Sequence, residues 1–85
     1  MQVIHSTTIH AECPMGGWDY YSVEYQPISF IEVGDFQAAC DKVRGSKQYQ
    51  EPLTSYLAER LPPGKLTTRG SHGSLTNTVV VVSQP

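Results

Sequence analysis

Gln48-Tyr49-Gln50-Glu51-Pro52-Leu53-Thr54 is the stretch that decides how the rest of the chain is read. Pro52 suits the first position of a helix, where a backbone N–H has no partner in any case. Leu53, Leu57 and Leu61 then fall on one apolar face, and Pro62-Pro63-Gly64 stops the helix. Glu51 thereby stands at the helix mouth, where the first unbonded N–H groups converge and keep its carboxylate ionised. A fixed anionic fork of that kind accepts two parallel hydrogen bonds from a guanine-like N–H edge. A glutamate in this place taken alone does no more than complement the helix dipole.

Upstream, Asp35 is expected to cap a helix in which Phe36, Ala39, Cys40 and Val43 recur at helical spacing, closed by Arg44 and Gly45. Residues 2–11, rich in Val, Ile and Thr, read as a strand. Cys13-Pro14-Met15-Gly16-Gly17 forms a turn, and Trp18 to Gln26 alternates as a second strand pairing back on the first. Pro27 ends that strand, and a short apolar run from Ile28 to Val33 follows. Downstream, Lys65 to Thr68 and Leu75 to Ser83 make a closing strand pair around Ser71-His72-Gly73. Val79 to Val82 is too continuous for a half-exposed strand, so both its faces should be covered. The order is two strands, two helices, two strands: one α+β domain over 1–85, with no repeat and no linker.

The chain has six Lys and Arg against eight Asp and Glu, a net charge of -2, and no basic run. A nucleic-acid binder normally shows a basic stripe, so nucleic acid is not an expected partner. No cationic leader precedes an apolar core at the N-terminus, and no apolar run approaches the roughly 18 residues of a membrane span. These observations predict a cytoplasmic protein with no membrane partner. A chain of 85 residues buries only about 60–65 % of its unfolded surface, so association would help it. The two cysteines are read as thiols, not as a disulfide.

Cys13 sits beside glycines, where its thiol reaches a ligand, although a small packing residue is the plainer reading of one cysteine alone. Cys40, between Ala39 and Val43, is a packing residue. His72 is either a loop residue or a group facing a ligand. His10-Ala11-Glu12-Cys13 is an incomplete ligand set, so no metal is expected. Trp18, Tyr20, Tyr21 and Tyr25 read as a packed strand face, with Trp18 or Phe36 as the candidate to stack on a bound base.

With these elements laid out, the chain resembles the tunnelling-fold superfamily: small ββααββ units, with an antiparallel sheet and two helices on one face, that assemble as rings around a central β-barrel and bind purine- or pterin-like rings between subunits. Gln48-x-Gln50-Glu51-x-Leu53-Thr54 with Leu57-Ala58 is similar to the second-helix motif of GTP cyclohydrolase I. The upstream half is similar to the nitrile reductase of 7-cyano-7-deazaguanine. That family has a Cys-Pro turn followed by an aspartate, a glutamate nineteen residues before the purine-binding glutamate, and an arginine twelve residues after the first glutamate. Cys13 with Asp19, and Glu32, Arg44 and Glu51, stand in these places. The chain also departs from both families: the Cys13-to-Asp19 turn and the final hairpin are shorter than in the reductase. Glu32-Val33-Gly34-Asp35 replaces its Glu-Ser-Lys-Ser stretch, and the zinc pattern of the cyclohydrolase is missing.

The resemblance implies a 7-deazaguanine-processing enzyme in queuosine-type metabolism. Cys13 would add to the nitrile as a thioimidate and Asp19 would supply the proton. Glu51 and Glu32 would hold the ring, with Trp18, Phe36 and His72 around it. Arg44 would contact NADPH, the implied cofactor of an oxidoreductase of this type. Homo-oligomers follow as well: a ring stacked in pairs, a decamer being one such stack. Amidine formation at the same thioimidate, without NADPH, is the alternative. A cyclohydrolase-like enzyme and a non-catalytic purine or pterin binder are two others.

Overall fold

The structure is a computed structural model that describes residues 1–71 and 78–84, with Ser71 described in its backbone alone. His72, and the turn expected around it, lie outside the described residues. Four strands and two helices follow in the expected order: β1 (His5–Glu12), β2 (Trp18–Pro27), α1 (Val33–Asp41), α2 (Gln50–Arg60), β3 (Gly64–Ser71) and β4 (Thr78–Ser83). The strands form one antiparallel sheet in the order β1-β2-β3-β4. The helices cover one face, α1 against β1 and α2 against β3 and β4. Among the described residues no helix is long and apolar enough to cross a membrane.

Period-two alternation sorts the strand residues. Ile9, Ala11, Tyr21, Val23, Tyr25 and Leu66 face the helices and are buried. Phe36, Ala39, Cys40, Val43, Leu53, Leu57 and Leu61 meet them from the helices, as their spacing predicts. His10, Trp18, Tyr20, Ser22 and Glu24 point to the other face, which no element among the described residues covers.

Two tyrosines of β2 cross over β3, each where β3 has a glycine. Tyr25 donates from its hydroxyl to the Pro62 carbonyl at 2.6 Å, and its ring passes Gly64, where a Cβ would stand 2.5 Å from the Gln26 carbonyl oxygen and 2.9 Å from Cε1 of the ring. Tyr21 lies over Gly70 in the same way: a Cβ there would overlap the edge of its ring. Close backbone approach, and not left-handed geometry, is what requires glycine at these two positions.

β1 runs His5–Glu12 and not 2–11, β3 runs Gly64–Ser71 and not Lys65 to Thr68, and three further differences from the sequence expectation follow from contacts. α1 begins at Val33 with Glu32 as its N-cap, because the Glu32 carbonyl already accepts from the N–H groups of Asp35 (3.1 Å) and Phe36 (3.4 Å); Asp35 lies inside the first turn. α2 begins at Gln50, not Pro52. The buried Gln50 side-chain amide donates to the Thr68 carbonyl (3.1 Å) and the Val79 carbonyl (3.0 Å), pinning the chain to β3 and β4 before Pro52 is reached. β4 is the third difference. It is an edge strand with Val79 and Val80 each 44 % and Val82 50 % exposed, so the described residues do not cover both its faces as expected.

The opposite edge is treated otherwise. Arg44 lies across β1, donating from Nη1 to the Thr8 carbonyl (2.6 Å), from Nη2 to Thr7 Oγ1 (2.9 Å) and from Nε to Asp41 Oδ1 (2.9 Å). Gly45, at a φ of 73°, turns the chain so that residues 45–48 run along β1. There the Gly45 N–H donates to the His10 carbonyl, Glu12 N–H to the Ser46 carbonyl and Gln48 N–H to the Glu12 carbonyl. The second half of the β1 edge is thereby closed, whereas among the described residues no strand pairs with the outer edge of β4.

Candidate functional site

The site is assembled where the β1–β2 turn, the start of α2 and the end of β3 come together. Cys13 opens the turn, which is closed by hydrogen bonds from the Cys13 N–H to the Gly17 carbonyl and from the Gly16 N–H to the Cys13 carbonyl, both 2.8 Å. Gly16 and Gly17 have φ values of 106° and 83°, a backbone only glycine adopts without strain. The turn leaves the Cys13 side chain half-buried. Asp19 follows on β2, opposite Ala11, and its side chain turns to the helix face with 8 % exposure.

A carboxyl buried to that degree requires hydrogen bonding. The Tyr21 hydroxyl, two residues on and on the same face, donates to Asp19 Oδ2 at 3.2 Å. Burial first, then the Asp19 carboxylate and its hydrogen bond, and then Cys13 raise the pKa of Tyr21 well above the phenol range. Tyr21 is therefore a neutral hydroxyl donor throughout the physiological pH range, within electrostatic reach of both Asp19 and Cys13.

The Tyr21 ring and the Gln50 side-chain amide both lie over Gly70, which ties this corner to α2. Thr54 Oγ1 donates to the Gln50 carbonyl (2.8 Å) and shares a 2.7 Å hydrogen bond with Thr68 Oγ1, so the first turn of α2 is held by buried polar contacts on β3. Glu51, next to Gln50 in that turn, is exposed. It lines a cleft of about 410 Å³ between the first turn of α2 and β4, with Tyr49, Gln50, Pro52, Val79 and Val81 as the other walls. An apolar floor with one anion at a helix N-terminus is a chemically reasonable seat for a flat ring carrying N–H donors.

The other expected site residues are placed elsewhere in this chain. Glu32 and Phe36 belong to the start of α1, at the far end of the sheet. Phe36 is buried in the core, parallel to Tyr25 (centroids 6.0 Å apart, 4° between planes) and 5.2 Å from His5. Trp18 is exposed on the open face of the sheet, edge-on to His10 at 5.5 Å. Arg44 straps β1, with Nε, Nη1 and Nη2 each engaged by the chain itself. Cys40 is fully buried, and burial pushes its thiol up to about 11, against a smaller lowering by Arg44. Among the described residues no three His, Cys, Asp or Glu side chains converge as metal ligands.

Tyr21 and Gln50 are the site residues that sequence reasoning missed. The signal for Tyr21 was available: on a strand, a residue two beyond an aspartate shares its face.

The ββααββ order, the fully antiparallel sheet and the pair of helices on one face define the unit expected of a tunnelling fold. A solved structure with this fold is the archaeosine synthase QueF-Like in its apo form, which matches with a TM-score of 0.68 and 22 % identity over 98 % of this chain and 91 % of that one. No protein-family profile and no curated protein sequence matches the chain.

Proposed function

We propose that this chain captures a 7-cyano-7-deazaguanine-like nitrile, binding the ring edge through Glu51 and adding Cys13 to the nitrile carbon. The observation that carries the reading is the cluster of Cys13, Asp19 and the Tyr21 hydroxyl at the sheet end that also holds the first turn of α2. The fold shared with an archaeosine synthase supports the same ligand class. In the addition, the thiol proton passes to the Asp19 carboxylate and Sγ bonds to the nitrile carbon. One C–N π bond opens, and Asp19 returns the proton to nitrogen. The product is a thioimidate, and the step needs neither oxidant nor reductant.

The residues present do not fit NADPH. The guanidinium of Arg44 is engaged by Asp41, Thr7 and Thr8, and Val33-Gly34-Asp35 offers no cation after Glu32. The proposed chemistry therefore ends in attack of a nitrogen nucleophile on the thioimidate, with an amidine formed and the thiol released, and not in hydride transfer. The net charge of -2 suits a free base better than a nucleic acid as the ligand.

The cleft beside Glu51 is open on its outer side, and Val79, Val80 and Val82 of β4 stay exposed. A second copy seated there would close the pocket and bring in its own Glu32 as the other ring anchor. Sedimentation at micromolar concentration is expected to show a species of several subunits. A monomer that still binds the ring would overturn the shared pocket.

Glu51→Gln tests the anchor. It keeps the size of the side chain, removes the anion and turns one acceptor into a donor facing the ring N–H groups. A charge-assisted hydrogen bond is worth about 1.5–3 kcal/mol, so affinity for 7-cyano-7-deazaguanine should fall roughly ten- to a hundred-fold in calorimetric titration. Unchanged affinity would reduce Glu51 to a helix-dipole partner.

A further inference from the structure

We propose that Tyr21 is the positioning residue for Asp19, holding its carboxyl toward Cys13 during addition to the nitrile. The inference rests on the nitrile-capture reading above and adds to it a residue that the resemblance does not supply. An aspartate on a strand has free rotation about two side-chain bonds, and a proton carrier is useful only when its oxygen stays within hydrogen-bond reach of the reacting atoms. Here the rotation is stopped by the 3.2 Å hydrogen bond from the Tyr21 hydroxyl to Asp19 Oδ2.

Tyr21 is itself fixed. Its ring is fully buried across Gly70, on a backbone that would not admit a Cβ, with the Gln50 amide beside it. Gln50 is in turn anchored to Thr68 and Val79. The chain of contacts therefore runs from two strands and a helix, through one phenol, to one carboxylate. Because the phenol does not ionise near neutrality, it remains a donor and never competes with Asp19 for the thiol proton. Tyr20, the neighbouring tyrosine, points to the opposite face, carries no such contact to Asp19 and serves as the control.

The test is the rate of mass gain on Cys13 with 7-cyano-7-deazaguanine at saturation, followed by intact-protein mass spectrometry. Wild type, Tyr20→Phe, Tyr21→Phe, Asp19→Asn and the Tyr21→Phe/Asp19→Asn double variant are compared. Tyr21→Phe keeps the ring over Gly70 and removes only the hydroxyl, and its thermal midpoint and affinity for the ligand are measured beside the rate. Adduct formation should slow about tenfold in Tyr21→Phe with affinity unchanged, and Tyr20→Phe should match wild type. The double variant should be no slower than Asp19→Asn alone, since a residue that acts through Asp19 has nothing to hold once the acid is gone. A Tyr21→Phe rate equal to wild type, or a double variant slowed by the product of the two single effects, overturns the positioning role and leaves nitrile capture standing. A wild type that gains no mass at saturation overturns nitrile capture, and the role of Tyr21 with it.

Discussion

Cys13→Ala should abolish the covalent adduct with 7-cyano-7-deazaguanine and leave non-covalent binding of the ring largely in place. The side chain lost is small and half-buried, in a turn closed by backbone hydrogen bonds, so neither the fold nor the Glu51 cleft depends on it. The second thiol cannot take over. Cys40 is fully buried on the inner face of α1, and with its pKa pushed up to about 11 it is protonated and unreactive at neutral pH. Cys40→Ala is accordingly the matched control: it should keep the adduct and lose about 1 kcal/mol of stability, the order expected for a small cavity. Intact mass separates the cases without ambiguity. A Cys13→Ala protein that still gains the ligand mass would move the nucleophile elsewhere and return Cys13 to a structural role.

Asp19→Asn is the second large effect, and it differs in kind. The thiol remains and the ring should still bind, but the group proposed to take the thiol proton and deliver it to nitrogen is gone. Positioned acid–base groups contribute roughly a hundred- to ten-thousand-fold, so adduct growth at saturating ligand should slow on the order of a hundred-fold or more. Asparagine can still accept the hydrogen bond of the Tyr21 hydroxyl through its amide oxygen, so the corner should keep its geometry and the variant its thermal midpoint. The ratio of the Asp19→Asn and wild-type rates, measured with both proteins saturated, isolates chemistry from affinity. Equal rates would show that the proton reaches the nitrile by another route and that Asp19 only neutralises its surroundings.

Much of the fold is legible in the residues themselves. The alternation from Trp18 to Gln26 and the apolar spacing of Leu53, Leu57 and Leu61 each announce one face, and the structure buries those faces. What local patterns did not reveal came from contacts between elements distant in sequence. Gln50 begins α2 because of carbonyls on β3 and β4, eighteen and twenty-nine residues away. Arg44, which in the chain reads as a helix-ending cation or a ligand contact, becomes a strap because β1 passes beneath it thirty-six residues upstream. Cys13 and Asp19 were singled out by their spacing, whereas Tyr21 was hidden among four aromatic residues of one strand. Only the glycine opposite it reveals its seat. Glu32 and Phe36 lie in order along the chain yet at the far end of the sheet, because α1 and then residues 42–48 lead along β1 between them and α2.

The unlike edges of the sheet give it a polarity. A joint between two β4 edges would be isologous and would stop at a pair. A joint from β4 of one chain to the β1 edge of the next is heterologous, and it repeats with a constant rotation until it closes or winds on as a helix. Neighbouring strands of a twisted sheet are each turned by roughly 20–25°, so the rotation per chain is an accumulated property of four strands and one joint. On the proposed assembly, no single residue would then specify the number of subunits. Ring size would be set by the pitch of the sheet and by how much of the β1 edge Arg44 and residues 45–48 leave available.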